Sequence, residues 1–236
     1  MKVIICILCV GIILWSLKEC KQLHAYPQDS TIVELQSYHP PTIKSHLSQR
    51  RPILIMNVIV PSYSFESLVK DNPGYILDDR GTMKMFETCL THEMSIYKHE
   101  GLYKTLITDS RVVEWSRLFE EWYSCNSRSY LSLYKGFHTI PAQPCHHNYL
   151  LIGVLSDSAI LYLIHPKHTD ELKEELARPS TNNNSLKKWS QKIVMKPGSL
   201  CVIPSDWWYF YECKGDVLVY HHEIDTYFTY LYNVLR

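Results

Sequence analysis

The run Lys196-Pro197-Gly198-Ser199-Leu200-Cys201-Val202-Ile203-Pro204-Ser205-Asp206-Trp207-Trp208-Tyr209 constrains the fold more than any other part of the chain. Pro-Gly is a turn dipeptide, because proline presets the first central position and glycine supplies a positive φ at the second. Leu200 to Ile203 is an apolar stretch bounded by turn signals on both sides, which reads as a short buried strand. Pro204-Ser205-Asp206 makes a second turn, and twin tryptophans follow. A chain punctuated this tightly builds its core from many short strands.

The same grammar recurs along the sequence. Arg51 to Val60 is rich in apolar and β-branched residues and is bounded by Pro52 and Pro61, so it reads as a buried strand after a polar stretch containing Pro27, Pro40 and Pro41. Tyr149 to Leu155 and Ala159 to Ile164 are two apolar runs joined by Ser156-Asp157-Ser158, which predicts a hairpin that His165-Pro166 ends. Thr169 caps a short acidic helix from Asp170 to Leu176. Arg178 to Lys188 reads as a polar insertion loop. Strands resume at Lys192 to Met195 and finish with Asp216 to Ile224, before a tyrosine-rich tail.

Helices are expected mainly in the first half. Phe65 to Lys70 is a short one. Met83, Phe86, Leu90 and Met94 recur at helical spacing, as do Val112, Trp115, Leu118, Phe119 and Trp122, with Asp109 or Ser110 as the cap of the second helix. A tryptophan stripe of this kind is core, so it carries no chemistry.

At 236 residues the chain suits one domain over residues 27–236, preceded by a separate segment over 1–20. That segment has Lys2 and then an apolar run from Val3 to Leu17, closed by Lys18. It is the n-region and h-region of a secretory signal, cleaved or kept as a short anchor, and it is short for a spanning helix. The expected location is the secretory pathway, in the endoplasmic reticulum lumen or anchored with a lumenal domain, and the membrane is met only through this segment. Lys+Arg and Asp+Glu stand at 24 each, so no global field draws nucleic acid. Cys20, Cys89, Cys125, Cys145, Cys201 and Cys213 lie outside the apolar run without a CxxC pair, so a structural zinc site is not expected and disulfide pairing stays open. Asn183-Asn184-Ser185 is a glycosylation sequon at Asn183.

On these residues the chain resembles the JmjC-type cupins, the double-stranded β-helix (jelly-roll) branch of the Fe(II)/2-oxoglutarate oxygenases. The twin tryptophan run and Ser156 to Pro166 carry the likeness. Asp109 to Phe119, together with the signal-like segment, is similar to the lumenal jumonji-domain protein 8 branch. The resemblance implies a mainly β domain with flanking N-terminal helices, with iron held by a His-x-Asp/Glu and a distal histidine.

The positions corresponding to those ligands depart from the pattern. The distal histidine is Tyr209, a phenol that binds Fe(II) poorly unless it ionises. Pro144-Cys145-His146-His147-Asn148 offers no His-x-carboxylate; His146 and Asn148 share a strand face, but Asn148 brings no charge. The lysine that would pair with a 2-oxoglutarate carboxylate corresponds to Ala159. The expectation is a pseudoenzyme without catalytic residues, metal or cofactor, acting as a binding or scaffolding module for a protein partner. The alternative is an active Fe(II)/2-oxoglutarate-dependent protein hydroxylase whose ligands come from His146, His147, His221 and Glu223. His221 and Glu223 have His-x-Glu spacing, and the plainer reading makes them a surface polar pair at a strand end.

Overall fold

The computed structural model describes residues 30–37, 39–56, 58, 64–79, 82–85, 94–106, 119, 124–178 and 182–235, together with 10, 11, 13–16 and 18. Its first half carries β1 (Val33–Leu35), α1 (Pro40–Ser48), β2 (Ile53–Ile55), α2 (Phe65–Asp71), β3 (Ile76–Asp79), β4 (Thr82–Met85), β5 (Met94–His99) and α3 (Glu100–Leu106). The second half is β6 (Ser124–Lys135), β7 (Phe137–Pro144), β8 (Tyr149–Ser156), β9 (Ala159–Ile164), α4 (Thr169–Leu176), α5 (Asn183–Leu186), β10 (Ser190–Met195), β11 (Leu200–Pro204), β12 (Trp208–Lys214), β13 (Val217–Thr226) and α6 (Tyr227–Leu235).

The fold is mostly β. One sheet runs β1-β2-β11-β8-β13-β6-β5, a second runs β10-β9-β12-β7, and β3 pairs with β4 alone. Within the two larger sheets the antiparallel pairs are nested: β6 with β13, β7 with β12, β8 with β11, and β9 with β10.

Alternation along the strands decides what lies between the sheets, since successive side chains point to opposite faces. Leu150, Ile152 and Val154 of β8, Cys201 and Ile203 of β11, Leu161 and Leu163 of β9 and Tyr209, Tyr211 and Cys213 of β12 fill one buried cluster drawn from both sheets. The two sheets therefore pack face to face as a sandwich. The intervening residues of the larger sheet, among them Leu151, Leu155, Val202 and Leu218, pack with Ile43 of α1, Leu68 of α2 and Leu102 of α3. Those of the smaller sheet, Tyr162, Ile164, Trp208 and Phe210, pack with Leu172 of α4 and Leu186 of α5. Each such aliphatic side chain taken from water contributes about 1.5 to 3 kcal/mol.

The twin tryptophans divide between these layers. Trp207 is fully buried between the sheets with its Nε1 donating to the Arg50 carbonyl at 3.1 Å, whereas Trp208 faces α4 and donates to Thr169 Oγ1 at 3.2 Å. The preceding turn is closed by Ser199 N donating to the Lys196 carbonyl at 3.0 Å, with Gly198 at φ +84° as its geometry requires.

Several expectations are corrected. Tyr149 to Leu155 and Ala159 to Ile164 form the strands β8 and β9 but no hairpin: β8 pairs with β11 and β13 in the larger sheet and β9 with β10 and β12 in the smaller, so the Ser156 to Ser158 turn carries the chain from one sheet to the other. The helix over Met83 to Met94 does not form at its ends: Met83 sits in β4, paired with Asp78, and Met94 opens β5. Cross-strand pairing there overrides a spacing that four residues satisfied by chance. Residues 86–93 lie outside the described residues, as does the expected Val112 to Trp122 helix apart from buried Phe119. The polar stretch holding Pro40 and Pro41 contains α1, which begins on these two prolines because a helix's first positions need no N–H partner. Thr169 lies inside α4, behind a 3-10 turn at Pro166–His168. The expected 178–188 loop is partly ordered as α5, capped by Asn182, whose side chain accepts from Asn184 N at 2.9 Å. The tyrosine-rich tail is α6. Most of the Val3 to Leu17 run lies outside the described residues; 10, 11, 13–16 and 18 are helical, and among the described residues no helix is long and apolar enough to cross a membrane.

Candidate functional site

The inward face of β13 changes character along its length. Val217 and Val219 are apolar, but the same period of two then turns His221, Glu223 and Asp225 inward, all buried. The two carboxylates would be costly there without counter-charges.

One counter-charge comes from β5. Its register with β6 breaks between Ile96 and His99, and Lys98 takes a left-handed φ of +50° near that break. Its backbone N–H donates to Ser132 Oγ at 2.8 Å, and its Nζ reaches Glu223 Oε1 at 2.6 Å. The other comes from the connection between β7 and β8. His147 Nδ1 lies 3.0 Å from Asp225 Oδ2, and its Nε2 lies 3.4 Å from Glu223 Oε1. That connection is held by the turn after β11: Asp206 N donates to the Cys145 carbonyl at 2.8 Å, Cys145 N to the Trp207 carbonyl at 2.7 Å and Ser205 N to the Asn148 carbonyl at 3.2 Å.

Burial works against the charged form of each of these groups, and the contacts outweigh it. His147 is depressed by burial but lifted further by its hydrogen bonds to Asp225 and Glu223, to about 9. Burial raises the Glu223 carboxyl, yet His147 and Lys98 bring it down to about 2. Lys98 is likewise penalised by burial and held above its ordinary value by Glu223. At neutral pH the result is an imidazolium and an ammonium against two carboxylates, with the charges balanced inside the fold.

Next to this cluster lies a chain of hydroxyls. Tyr209 is 2 % exposed, and its phenol is pushed well above the usual range by burial first and by Tyr97, to which it hydrogen bonds. Gln143, across from Tyr209 in the register of β7, donates its Nε2 to the Tyr97 hydroxyl. Deeper in, Tyr134 and Tyr211 share a hydrogen bond of 2.7 Å, and the Tyr211 hydroxyl lies 3.3 Å from His221 Nε2. His221 is fully buried, and desolvation followed by the nearby Lys98 charge lowers it to about 3, so it is neutral; its Nδ1 has no hydrogen-bond partner among the described residues.

The sequence-predicted site residues are thus brought together only in part. His147 and Glu223 meet; His221 shares their face but bonds to Tyr211. His221 and Glu223 are buried, which corrects their reading as a surface pair: β13 is a central strand covered on both sides. His146, half-buried, and Asn148 lie beyond the end of β7, so a shared strand face does not apply to them. Pro144 ends β7 opposite Trp208, and Cys145 is buried with its thiol pushed up to about 12 and donating to the His147 and Ile203 carbonyls at 3.6 Å each. Ala159 is buried opposite Cys213, in the apolar end of the interior. Asn183, in α5, donates its Nδ2 to the Ile140 carbonyl at 2.8 Å. Cys125 is exposed and free, and Cys145, Cys201 and Cys213 are buried and free.

Lys98, Asp225, Tyr97, Gln143, Tyr134 and Tyr211 were missed. Extending the His221-x-Glu223 alternation by one step would have found Asp225; nothing in the sequence marks the bulge that aims Lys98.

These residues do not fit a facial iron site. Metal binding needs several donors converging on one point, whereas the His147 ring places its two nitrogens on two different carboxylates. Tyr209 is a protonated phenol, Glu223 is already taken by Lys98, and Ala159 itself has no donor for a 2-oxoglutarate carboxylate and packs in an apolar cluster. Among the described residues no group of three His, Cys, Asp or Glu side chains is arranged to hold a metal ion.

No protein-family model matches the chain, and no curated protein matches it.

Proposed function

We propose that this chain is a JmjC-like, cupin-type double-stranded β-helix that works as a non-catalytic binding or scaffolding module of the secretory pathway. The nested pairing of β6 with β13, β7 with β12, β8 with β11 and β9 with β10 supports the β-helix reading, because it is what one long hairpin gives when wound on itself. The observation that carries the non-catalytic reading is the self-neutralised cluster at Glu223. Glu223 and Asp225 are paired with Lys98 and His147, and a buried ion pair broken to admit a metal leaves an uncompensated charge.

The partner is a protein rather than a nucleic acid, given the balanced charge. The test is iron-dependent succinate formation from 2-oxoglutarate by the purified chain, run beside a melting curve with and without Fe(II). Absence of turnover with an unchanged melting temperature is expected, since a ligand that binds weakly stabilises little. Turnover, or a saturable and chelator-reversible stabilisation, sinks the reading in favour of the active hydroxylase. Localisation is tested by fractionating cells that express a C-terminally tagged full chain; recovery wholly from the cytosol refutes it.

A further inference from the structure

The chain carries a large apolar surface that the barrel does not use. On α6, Tyr227, Tyr230 and Leu231 are 60 %, 43 % and 54 % exposed, and their spacing puts them on one helical face. On the N-terminal helical segment, Val10, Ile13 and Leu14 are 54 %, 56 % and 61 % exposed at the same spacing. The two helices touch: the Trp15 ring meets Phe228 edge-on with centroids 5.2 Å apart. Helices in such contact have axes roughly 8 to 10 Å apart, so the two exposed stripes are carried on neighbouring helices.

We infer that α6 and the N-terminal helical segment together form one lipid-binding surface, lying on a bilayer rather than crossing it. Three features select lipid as the occupant. The sequence from Val3 to Leu17 contains no acidic residue, nor does Tyr227–Leu235, so neither stretch adds a charge that repels phosphate headgroups. Lys2 and Lys18 bracket the run and suit those headgroups. The exposed tyrosines and Trp15 have apolar bodies with polar tips, the side-chain type that settles at headgroup depth. Unlike a simple N-terminal tether, this arrangement makes the folded domain itself part of the attachment and fixes its orientation on the membrane. It does not depend on the pseudo-oxygenase reading.

The test is flotation of the full chain, made by cell-free translation, with phosphatidylcholine vesicles containing or lacking phosphatidylserine. The unmodified chain is expected to float. The double variant Tyr230→Glu/Leu231→Glu, with the N-terminal segment intact, is expected to lose at least tenfold in partitioning, while Val194→Glu, at another exposed apolar position on β10, floats normally. Circular dichroism checks that each variant is folded, and Tyr227→Glu on the same stripe replaces the double variant if that one is not. The inference is overturned if the α6 variants float as well as the parent, or if Val194→Glu loses as much as they do. It is also overturned if the parent stays in the dense fraction as a dimer that the α6 variants return to monomer.

Discussion

Replacing Glu223 by glutamine removes the charge on which the buried cluster turns while keeping its shape. In the parent, Glu223 accepts from Lys98 at 2.6 Å and faces His147 at 3.4 Å, and the Lys98 and Glu223 side chains are 20 % and 10 % exposed. Breaking a buried pair from one side costs about 3 to 5 kcal/mol, and the residual exposure of Lys98 places this case near 3. For a domain of this size that lowers the melting temperature by about 6 to 12 °C.

His147 adds a dependence on pH. Its folded value of about 9 stands above the unfolded 6.5, so its contribution is fully present below 6.5 and is lost as pH rises through 9. That gap amounts to about 3 kcal/mol. With Glu223→Gln, Asp225 alone supports the imidazolium, so the His147 midpoint falls and the variant's deficit is larger at about pH 6 than at about pH 10. Urea denaturation at both pH values, with an NMR titration of His147, measures this. An unmoved His147 midpoint, or a loss under about 1 kcal/mol at the lower pH, refutes the assignment of Glu223 as the hub of the cluster.

Other consequences are open to direct measurement. Tyr209→His is expected to destabilise the fold by about 1 to 3 kcal/mol through lost packing and to produce no iron-dependent succinate, because the carboxylate ligand and a cation at Ala159 are still missing; turnover in this variant would show a latent site. His221 and His222 are lowered by burial to about 3 and 4 from an unfolded 6.5, so stability is expected to fall as pH drops below 6.5, and His222→Gln should flatten that acid limb in a pH-resolved melting series. Gly198→Ala should cost about 1 kcal/mol or more by equilibrium unfolding, since φ is +84° and the added methyl would stand 3.3 Å from the Val58 carbonyl. Asn183→Ala should cost about 1 kcal/mol by the same assay, because the Ile140 carbonyl loses its donor.

The local grammar of the chain determined its β-rich architecture. The strands β8, β9 and β11 and the turn at Gly198 follow from apolar runs bounded by turn residues, a pattern that leaves a short segment one way to bury its side chains, but the pairing of β8 and β9 in different sheets does not. Period-two alternation likewise placed His221 and Glu223 on one face before their surroundings were known. Alternation does not say which face is buried. β13 became a central strand, covered by the second sheet on one side and helices on the other, and that alone turned a polar pair into a buried cluster with perturbed protonation. The partners came from far along the chain: Lys98 is 125 residues from Glu223 and His147 is 78 from Asp225, and the bulge and the β7–β8 connection that aim them are products of pairing rather than of propensity. Electrostatic coupling depends on distance through space and on the removal of water, and the tertiary structure decided both.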